Sequence, residues 1–491
     1  MSPTGNDTND CLSWATSCLT IQGAINKASA GDTVNVAGGT YDEQVIIGKS
    51  LTIQGAGDTT IIQPSGTSIL TSLYTLGTQA GAFWNGHKLA SIISVQNVGT
   101  AGVTVKDLKV DGVNVNSLPG GANYVVGISY GETAGTIDHV TVVNMNSVPV
   151  ATRTYGMWLD AVGTSVSVEV KNSRISYYNK NGITARGAKL TVDIDTNAIV
   201  GPGTIGPDQV PNGLFLTFGT GGTVEHNEVS NNHYTGTEWS SAGIGGYRAE
   251  DGVVYEYNDV HDNDMGISGD SGSPIKYNDI HHNRVGINIE EVLAGLPAAD
   301  NDISYNLIHD NDYGIRILED GLGLGNAASH NNIYGNTEGV RNWDTTQVFK
   351  AENNWYGSAS GPTHGSNPGG TGDAASDNVD FAPWLGFLYG ANILVWSDET
   401  NGVSINKATL RFFLVFEDGG SFKTCSGFGA YTIGGRVTIM GRCTEDPRDT
   451  ISASGRAGGF LRVTLTDCVR GPPRGYIVTY RFLLLWAAPP P

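Results

Sequence analysis

The chain has 491 residues, 68 of them Gly and 18 Pro, with 39% hydrophobic and 15% charged residues and a formal net charge of −20. Low charge, with Asn, Thr, Ser and Gly filling the polar remainder, excludes coiled coils and charge-rich disorder; Gly without a three-residue period excludes collagen. The charge is uneven: residues 391–491 carry 11 Lys and Arg against 8 Asp and Glu, which leaves 17 against 40 on residues 1–390. So acidic a body disfavours nucleic acid, whose phosphates are bound mainly by Lys and Arg, and would meet polyanionic sugars only through bridging cations, whereas neutral glycans face no such obstacle.

The first residues, MSPTGNDTND, have neither a basic segment nor an apolar one, so no signal peptide is expected in this chain. No apolar run is long enough to span a membrane. In the polar segment 1–18, Cys11 and Cys18 read as a disulfide of an oxidising compartment, the alternative being two free thiols. Residues 20–28 place Ile21, Ala24, Ile25 and Ala28 on one helical face, a helix suited to capping the open end of a strand stack. Short alternating strands follow at 32–36, 39–41, 45–47 and 50–53.

The middle of the chain repeats. Asn227-Glu-Val229, Asn258-Asp-Val260, Asn278-Asp-Ile280, Asn306-Leu-Ile308 and Asn331-Asn-Ile333 each precede, by three residues, a second Asn: Asn232, Asn263, Asn283, Asn311 and Asn336. Each unit continues into Gly plus an aliphatic, as at Gly266-Ile267 and Gly286-Ile287. From Ile175 to Trp355 the aligned apolar positions are 24, 30, 31, 20, 28, 25 and 22 residues apart, a period that marks a solenoid. Two or three short strands per unit, Asn or Gly at left-handed bends and Asn side chains hydrogen-bonded along the axis describe a parallel β-helix. Residues 391–491 form a separate unit of alternating strands and Gly-rich turns, expected as a small antiparallel sandwich. There Cys425, Cys443 and Cys468 allow one pair and leave one Cys over, and residues 482–486 read as a buried strand or one that pairs with a neighbouring subunit.

The segment AGDTVNVAGGTYDEQVIIGKSLTIQGAG, the N-x-I-x-x-N…G-I repeats and the ending ENNWYGSASGPT…VDFAPWL resemble the secreted right-handed parallel β-helix, or pectin-lyase-like, superfamily, in its carbohydrate-binding and sugar-hydrolase repeat branch. The resemblance spans residues 19–387 and implies an all-β fold: a right-handed parallel β-helix over 19–390 with an N-terminal capping helix, followed by a β-sandwich-like domain over 391–491. It implies no single reaction, because the superfamily includes lyases, hydrolases, epimerases and adhesins.

Side chains alternate faces along a strand, so the second and fourth residues after each Gly of the Gly-Ile strand point outward. The second position gives Trp158, Thr184, Phe215, Gly245, Ser268, Asn288, Arg316 and Arg341; the fourth gives Asp160, Arg186, Thr217, Tyr247, Asp270, Glu290, Leu318 and Trp343. Aromatic rings interleaved with carboxylates and Arg suit a polysaccharide, whose apolar sugar faces stack on rings while hydroxyls meet charged groups. The candidate substrate-binding residues are Trp158, Asp160, Arg186, Phe215, Tyr247, Arg316, Arg341 and Trp343. Alternatively, long loops such as 233–241, 291–300 and 319–329 cover the strip.

Asp270 and Glu290 fall on adjacent coils, about 4.8 Å apart along the axis, a spacing suited to two glycosidase carboxylates. Glu290 would be the proton donor and Asp270 the base or nucleophile; a structural ion cluster is the other reading. No cofactor is expected. His261, Asp262, Asp264, His281, His282, His309, Asp310 and Asp312 recur at equivalent turns and raise Ca²⁺ as a minor alternative. Lyases of the superfamily pair a Ca²⁺ cluster with a basic residue, so hydrolysis is preferred to elimination. The expectation is therefore a secreted or cell-surface protein that binds, and in one reading cleaves, a polysaccharide or cell-surface glycan. The alternative is a non-enzymatic structural or adhesion protein that self-associates through its C-terminal domain.

Overall fold

The computed structural model describes residues 1–386 apart from 147–152, 207–208, 237–240, 250–251, 294–295 and 320, and beyond them the backbone of the strands from Val395–Ser397 to Trp486–Ala487. Two compact units divide the chain, Met1–Phe387 and Leu388–Pro491. In the second, the strands from Val395–Ser397 to Arg474–Ile477 form an antiparallel meander, in which Cys425 is the register partner of Cys443, and Trp486–Ala487 pairs in parallel with Val395–Ser397. Residues 482–485, part of the segment read as a buried or subunit-pairing strand, lie outside the described residues.

The first unit is a parallel β-helix. In the regular coils each strand pairs with its counterpart one coil on, three strands later except where the hairpin Glu291–Leu293 and Leu296–Pro297 intervenes, so every coil contributes one strand to each of three faces. The first face begins at Val45–Ile47 and the first parts of Lys88–Asp111 and Tyr124–Val143, continues through Thr154–Asp160, Asn181–Arg186, Asn212–Thr217 and Ala242–Tyr247, and is extended by Met265–Gly269, Val285–Ile289, Tyr313–Ile317 and Glu338–Asn342. Alternation fills the interior with columns of aliphatics. Ile183, Leu214, Ile244, Ile267, Ile287, Ile315 and Val340 stack on the first face, and Ile175, Ile199, Val229, Val260, Ile280, Ile308 and Ile333 on the third, all with 0% exposure. The Gly before each first-face aliphatic is required by close approach. A Cβ on Gly266 would lie 2.6 Å from Gly286 O and 2.9 Å from Ile280 Cγ2.

The expected Asn ladders are present, and there are two. Asn197, Asn227, Asn258, Asn278, Asn306, Asn331 and Asn354 form one, in which each Oδ1 accepts both the backbone N–H and an Nδ2–H of the preceding member. Asn232, Asn263, Asn283, Asn311 and Asn336 form the other, and Asp373 ends it. An aspartate fits that end because its oxygens only accept, from Asn336 N, Asn336 Nδ2 and Gly335 N.

The bends differ from expectation in one respect. In the regular coils the left-handed residue is the one before the ladder Asn: Tyr257, Tyr277 and Tyr305, and Asp262, His282 and Asp310, have φ between 52° and 63°. A left-handed residue there turns the chain so that the following amide points inward to its ladder, while its own side chain projects outward. On the outside the rings stack: His226, Tyr257, Tyr277, Tyr305 and His330 have centroids 5.1 to 5.4 Å apart. The strain of non-Gly residues in this region, about 1–2 kcal/mol each, is offset by stacking and by the inward hydrogen bonds.

At the N-terminus the expected helix spans Ile21–Lys27, with Thr20 accepting from Gly23 N and with Ile21, Ala24 and Ile25 buried. Cys11 and Cys18 form the expected disulfide.

Candidate functional site

Cross-strand register aligns Trp158, Thr184, Phe215, Gly245, Ser268, Asn288, Arg316 and Arg341 in one column of the first face, as the Gly-Ile repeat predicts. Asp160, Arg186, Thr217 and Tyr247 form the second column. Asp270 and Glu290 directly follow Met265–Gly269 and Val285–Ile289. The strip exists, but its two halves differ.

The N-terminal half is closed by residues 71–88, a segment with no predicted role. Tyr74, Leu76 and Trp84 from this segment form an apolar cluster with Tyr124, Tyr155, Trp158 and Phe218. The Trp84 and Trp158 ring centroids are 5.3 Å apart. Beneath, Arg186 Nη1 donates to Asp160 Oδ1 at 2.5 Å, and Nη2 donates to Gly77 O at 2.9 Å and Asn85 Oδ1 at 2.7 Å. The Tyr74 hydroxyl donates to Asp160 Oδ2 at 3.1 Å. Trp158, Asp160 and Arg186 are 0%, 1% and 0% exposed. This corrects the expectation that they face solvent: they fasten a covering loop. Burial drives the Asp160 carboxyl above the usual range, against the pull of Arg186. The sequence signal was the cluster of Tyr74, Phe83 and Trp84 in a segment outside the repeats.

The C-terminal half opens only at its ends, through the half-buried Phe215, Tyr247 and Glu290 and the 36%-exposed Trp343, while Ser268, Asp270, Asn288 and Arg316 between them are 6%, 3%, 0% and 6% exposed. Phe215 and Tyr247 are half-buried at its near end, beside Phe83, which is 56% exposed. Further along, Arg316 Nε donates to Asn288 Oδ1 at 2.8 Å, and the guanidinium lies 5.7 Å from the ring centroid of Trp343. Burial and the neighbouring Arg284 lower the Arg316 pKa to about 10, against the opposing effect of Glu290. Asn288 is fully buried and its Nδ2 has no acceptor among the described residues. Trp343 is 36% exposed, and Arg341 donates to Glu338 at 3.0 Å.

The two candidate catalytic carboxylates occupy different surroundings. Asp270 is 3% exposed and turns back toward the preceding coil, where Oδ2 accepts Ala249 N at 2.5 Å and Oδ1 accepts Ser271 N at 2.9 Å. Gly246 makes room for it, since a Cβ there would meet Asp270 Cβ at 2.8 Å. Glu290 is half-buried and accepts from Ser268 Oγ at 3.2 Å. Of the pair, Glu290 is the one with an open side, and Asp270 holds a turn.

At the turns considered for Ca²⁺, His261, His281 and His309 do stack, with centroids 5.1 and 5.0 Å apart, and Tyr334 continues the column. Their nitrogens meet carboxylates, His281 with Asp259 at 3.1 Å and His309 with Asp279 at 2.9 Å and Asp310 at 2.7 Å. Among the described residues no group of three or more His, Cys, Asp or Glu is arranged to hold a metal ion. No helix of the described residues is long and apolar enough to cross a membrane.

No curated protein matches the chain. Two solved structures found to be similar are ORF18 of Geobacillus virus E2, 12% identical over 94% of this chain and 75% of that one with a TM-score of 0.28, and DFA-IIIase from Arthrobacter chlorophenolicus A6 in complex with GF2, 11% identical over 71% and 82% with a TM-score of 0.31. At such TM-scores they add nothing to the fold assignment. Residues 161–356 match the family model described as a right-handed β-helix region, the same coils that carry the Asn ladders and the open half of the strip.

Proposed function

We propose that the open half of the first face binds a neutral or weakly charged polysaccharide. The observation that carries this reading is the conjunction, on consecutive coils, of the Trp343 ring, the Arg316 guanidinium beside it and a buried Asn288 whose Nδ2 lacks an acceptor. Buried polar groups are rarely left unpaired, and a sugar hydroxyl would supply the missing acceptor once the side chains that cover Asn288 move aside. The ring offers a stacking platform, and Phe215 and Tyr247 a second one at the near end. Glu290, with its open side, is suited to a hydroxyl contact or to proton donation. Asp270 would act beside it only after leaving its two backbone amides, so binding is the favoured activity and cleavage the subordinate one. The Cys11–Cys18 disulfide supports an oxidising setting outside the cytoplasm or at the cell surface.

A glycan-array screen of the full chain, repeated with Trp343→Ala and Asn288→Ala, tests the proposal. Loss of the same signals in both variants is expected; signals that survive both overturn it. One observation favours the structural alternative for the other half of the strip: Trp158, Asp160 and Arg186 are spent on holding residues 71–88.

A further inference from the structure

We propose that Ser366, His364 and Asp377 form a hydrolytic site for a small acyl ester, in the loop between the strands Phe349–Lys350 and Val379–Asp380. The site begins as a tight reversal of the chain. Asn367 N donates to His364 O at 2.9 Å, and these two residues form an antiparallel bridge. Asn367 Nδ2 donates to Ser360 O and Pro362 O, both at 2.9 Å, which pins the turn to the backbone before it. The His364 ring meets the buried Phe381 edge-on, with centroids 5.0 Å apart, and the His364 side chain is 14% exposed. The imidazole is thus held in place while Ser366 faces solvent.

The hydrogen bonds fix the tautomer. Ser366 N donates to His364 Nδ1 at 3.1 Å, and because a backbone N–H can only donate, Nδ1 carries the lone pair. Nε2 then holds the proton of the neutral ring and donates it to Asp377 Oδ1 at 3.2 Å. Ser366 Oγ lies 2.7 Å from Nδ1, so the hydroxyl donates to the same lone pair. A hydroxyl on the unprotonated nitrogen and a carboxylate on the other nitrogen make a nucleophile, its general base and a positioning group. The two ring nitrogens exchange the roles they have in the serine-protease triad, which imidazole allows because either nitrogen can act as the base.

In the reaction Ser366 Oγ bonds to the ester carbonyl carbon while its proton passes to Nδ1. Collapse breaks the bond to the alcohol oxygen, the alcohol leaves with that proton, and acyl-Ser366 remains. Water then attacks the acyl carbon, giving a proton to Nδ1 that returns to Oγ as the acid departs; only water is consumed. Asp377 is fully exposed, so its carboxylate orients the ring in water and does less for the imidazolium than a buried one would. That limits the chemistry to esters, whose alcohol leaves more readily than an amine. A Cβ on Gly365 or Gly369 would meet nothing within 4 Å, so the turn has no wall to grip a long acyl chain, and an acetyl group is the size it suits. The site does not depend on the glycan reading of the first face.

The test is reaction of the full-length chain with 4-nitrophenyl acetate, read as 4-nitrophenolate release and, after acid quenching, as acetyl groups located by peptide mass mapping. The exposed Ser65 and Ser117 serve as controls. Ser366 should be acetylated about 10²-fold faster than either, the lower end of what a general base supplies, and should lose its acetyl group to water when the ester is exhausted. Ser366→Ala, at an exposed position, should remove this turnover and leave only the slower release that free imidazole gives. His364→Gln should reduce Ser366 to the rate of the control serines. Asp377→Ala should slow the acetylation and Asp377→Glu should restore it, which marks Asp377 as a positioning residue. The proposal is overturned if Ser366 is acetylated no faster than Ser65 and Ser117, if its acetylation survives His364→Gln, or if acetyl-Ser366 persists in water.

Discussion

Changing one atom type in the Asn ladder separates donor from acceptor, and Asn278→Asp does so at its centre. In the native chain Asn278 Nδ2 donates to Tyr255 O at 2.8 Å and to Asn306 Oδ1 at 3.0 Å, while its Oδ1 accepts Asn258 N at 2.9 Å and Asn258 Nδ2 at 3.0 Å. Aspartate retains both acceptances and loses both donations, leaving two acceptors facing a carboxylate. At ~1–3 kcal/mol for each stranded buried group the loss is about 2–6 kcal/mol, before the cost of the buried charge. Asp373→Asn is the control: it sits at the end of the second ladder, after Asn336, where all its bonds are acceptances, and its amide sacrifices only the one from Gly335 N. That cost should stay near ~1 kcal/mol. Urea denaturation followed by far-ultraviolet circular dichroism reads both as midpoint shifts at constant slope. A midpoint for Asn278→Asp as high as that of Asp373→Asn would refute the ladder as a directional hydrogen-bond chain.

Arg186→Met strands the buried Asp160 and unties residues 71–88; about 3–5 kcal/mol of stability should be lost, and limited proteolysis should cut near Phe83 in the variant before it cuts the wild type. His261 is predicted to titrate near pH 9, because burial, which opposes protonation, is outweighed by the ion pair with Glu228 at 3.8 Å and the hydrogen bond with Asp262 at 2.8 Å. Its folded pKa lies above its unfolded value, so its stabilisation is complete below about pH 6.5 and is lost as pH rises through about 9. The amount is roughly 2–3 kcal/mol; NMR titration of the ring checks the value, and His261→Gln should flatten stability over that window. If a bound glycan is also cleaved, Glu290→Gln should abolish turnover by product analysis, while Asp270→Asn should chiefly lower the melting temperature; loss of turnover in a stably folded Asp270→Asn would return Asp270 to a catalytic role.

The interior of the β-helix was legible because it is periodic: Ile267, Ile287 and Ile315 occupy the register that Gly-Ile spacing alone assigns, and Asn258, Asn278 and Asn306 form the ladder their spacing suggests. Accessibility of the strip was not legible. Alternation says that Trp158 and Arg186 point away from the core, but their burial depends on Trp84, Gly77 and Asn85, which lie up to 109 residues away and follow no repeat. Asp270 illustrates the same limit at short range. Its column position is right, yet the missing Cβ of Gly246 and the free amide of Ala249 draw the carboxylate toward the preceding coil. The left-handed bends also escaped, because Tyr is a poor intrinsic choice for that conformation and is retained there by stacking between coils.

The most direct measurement is calorimetric titration of the full chain with a glycan selected on the array, comparing wild type with Trp343→Ala, Arg316→Met and Trp158→Phe. Saturable binding that is lost in the first two variants and kept in the third is the expected result. Binding unaffected by Trp343→Ala and Arg316→Met, or abolished only by Trp158→Phe, would contradict the assignment of the open half as the ligand face.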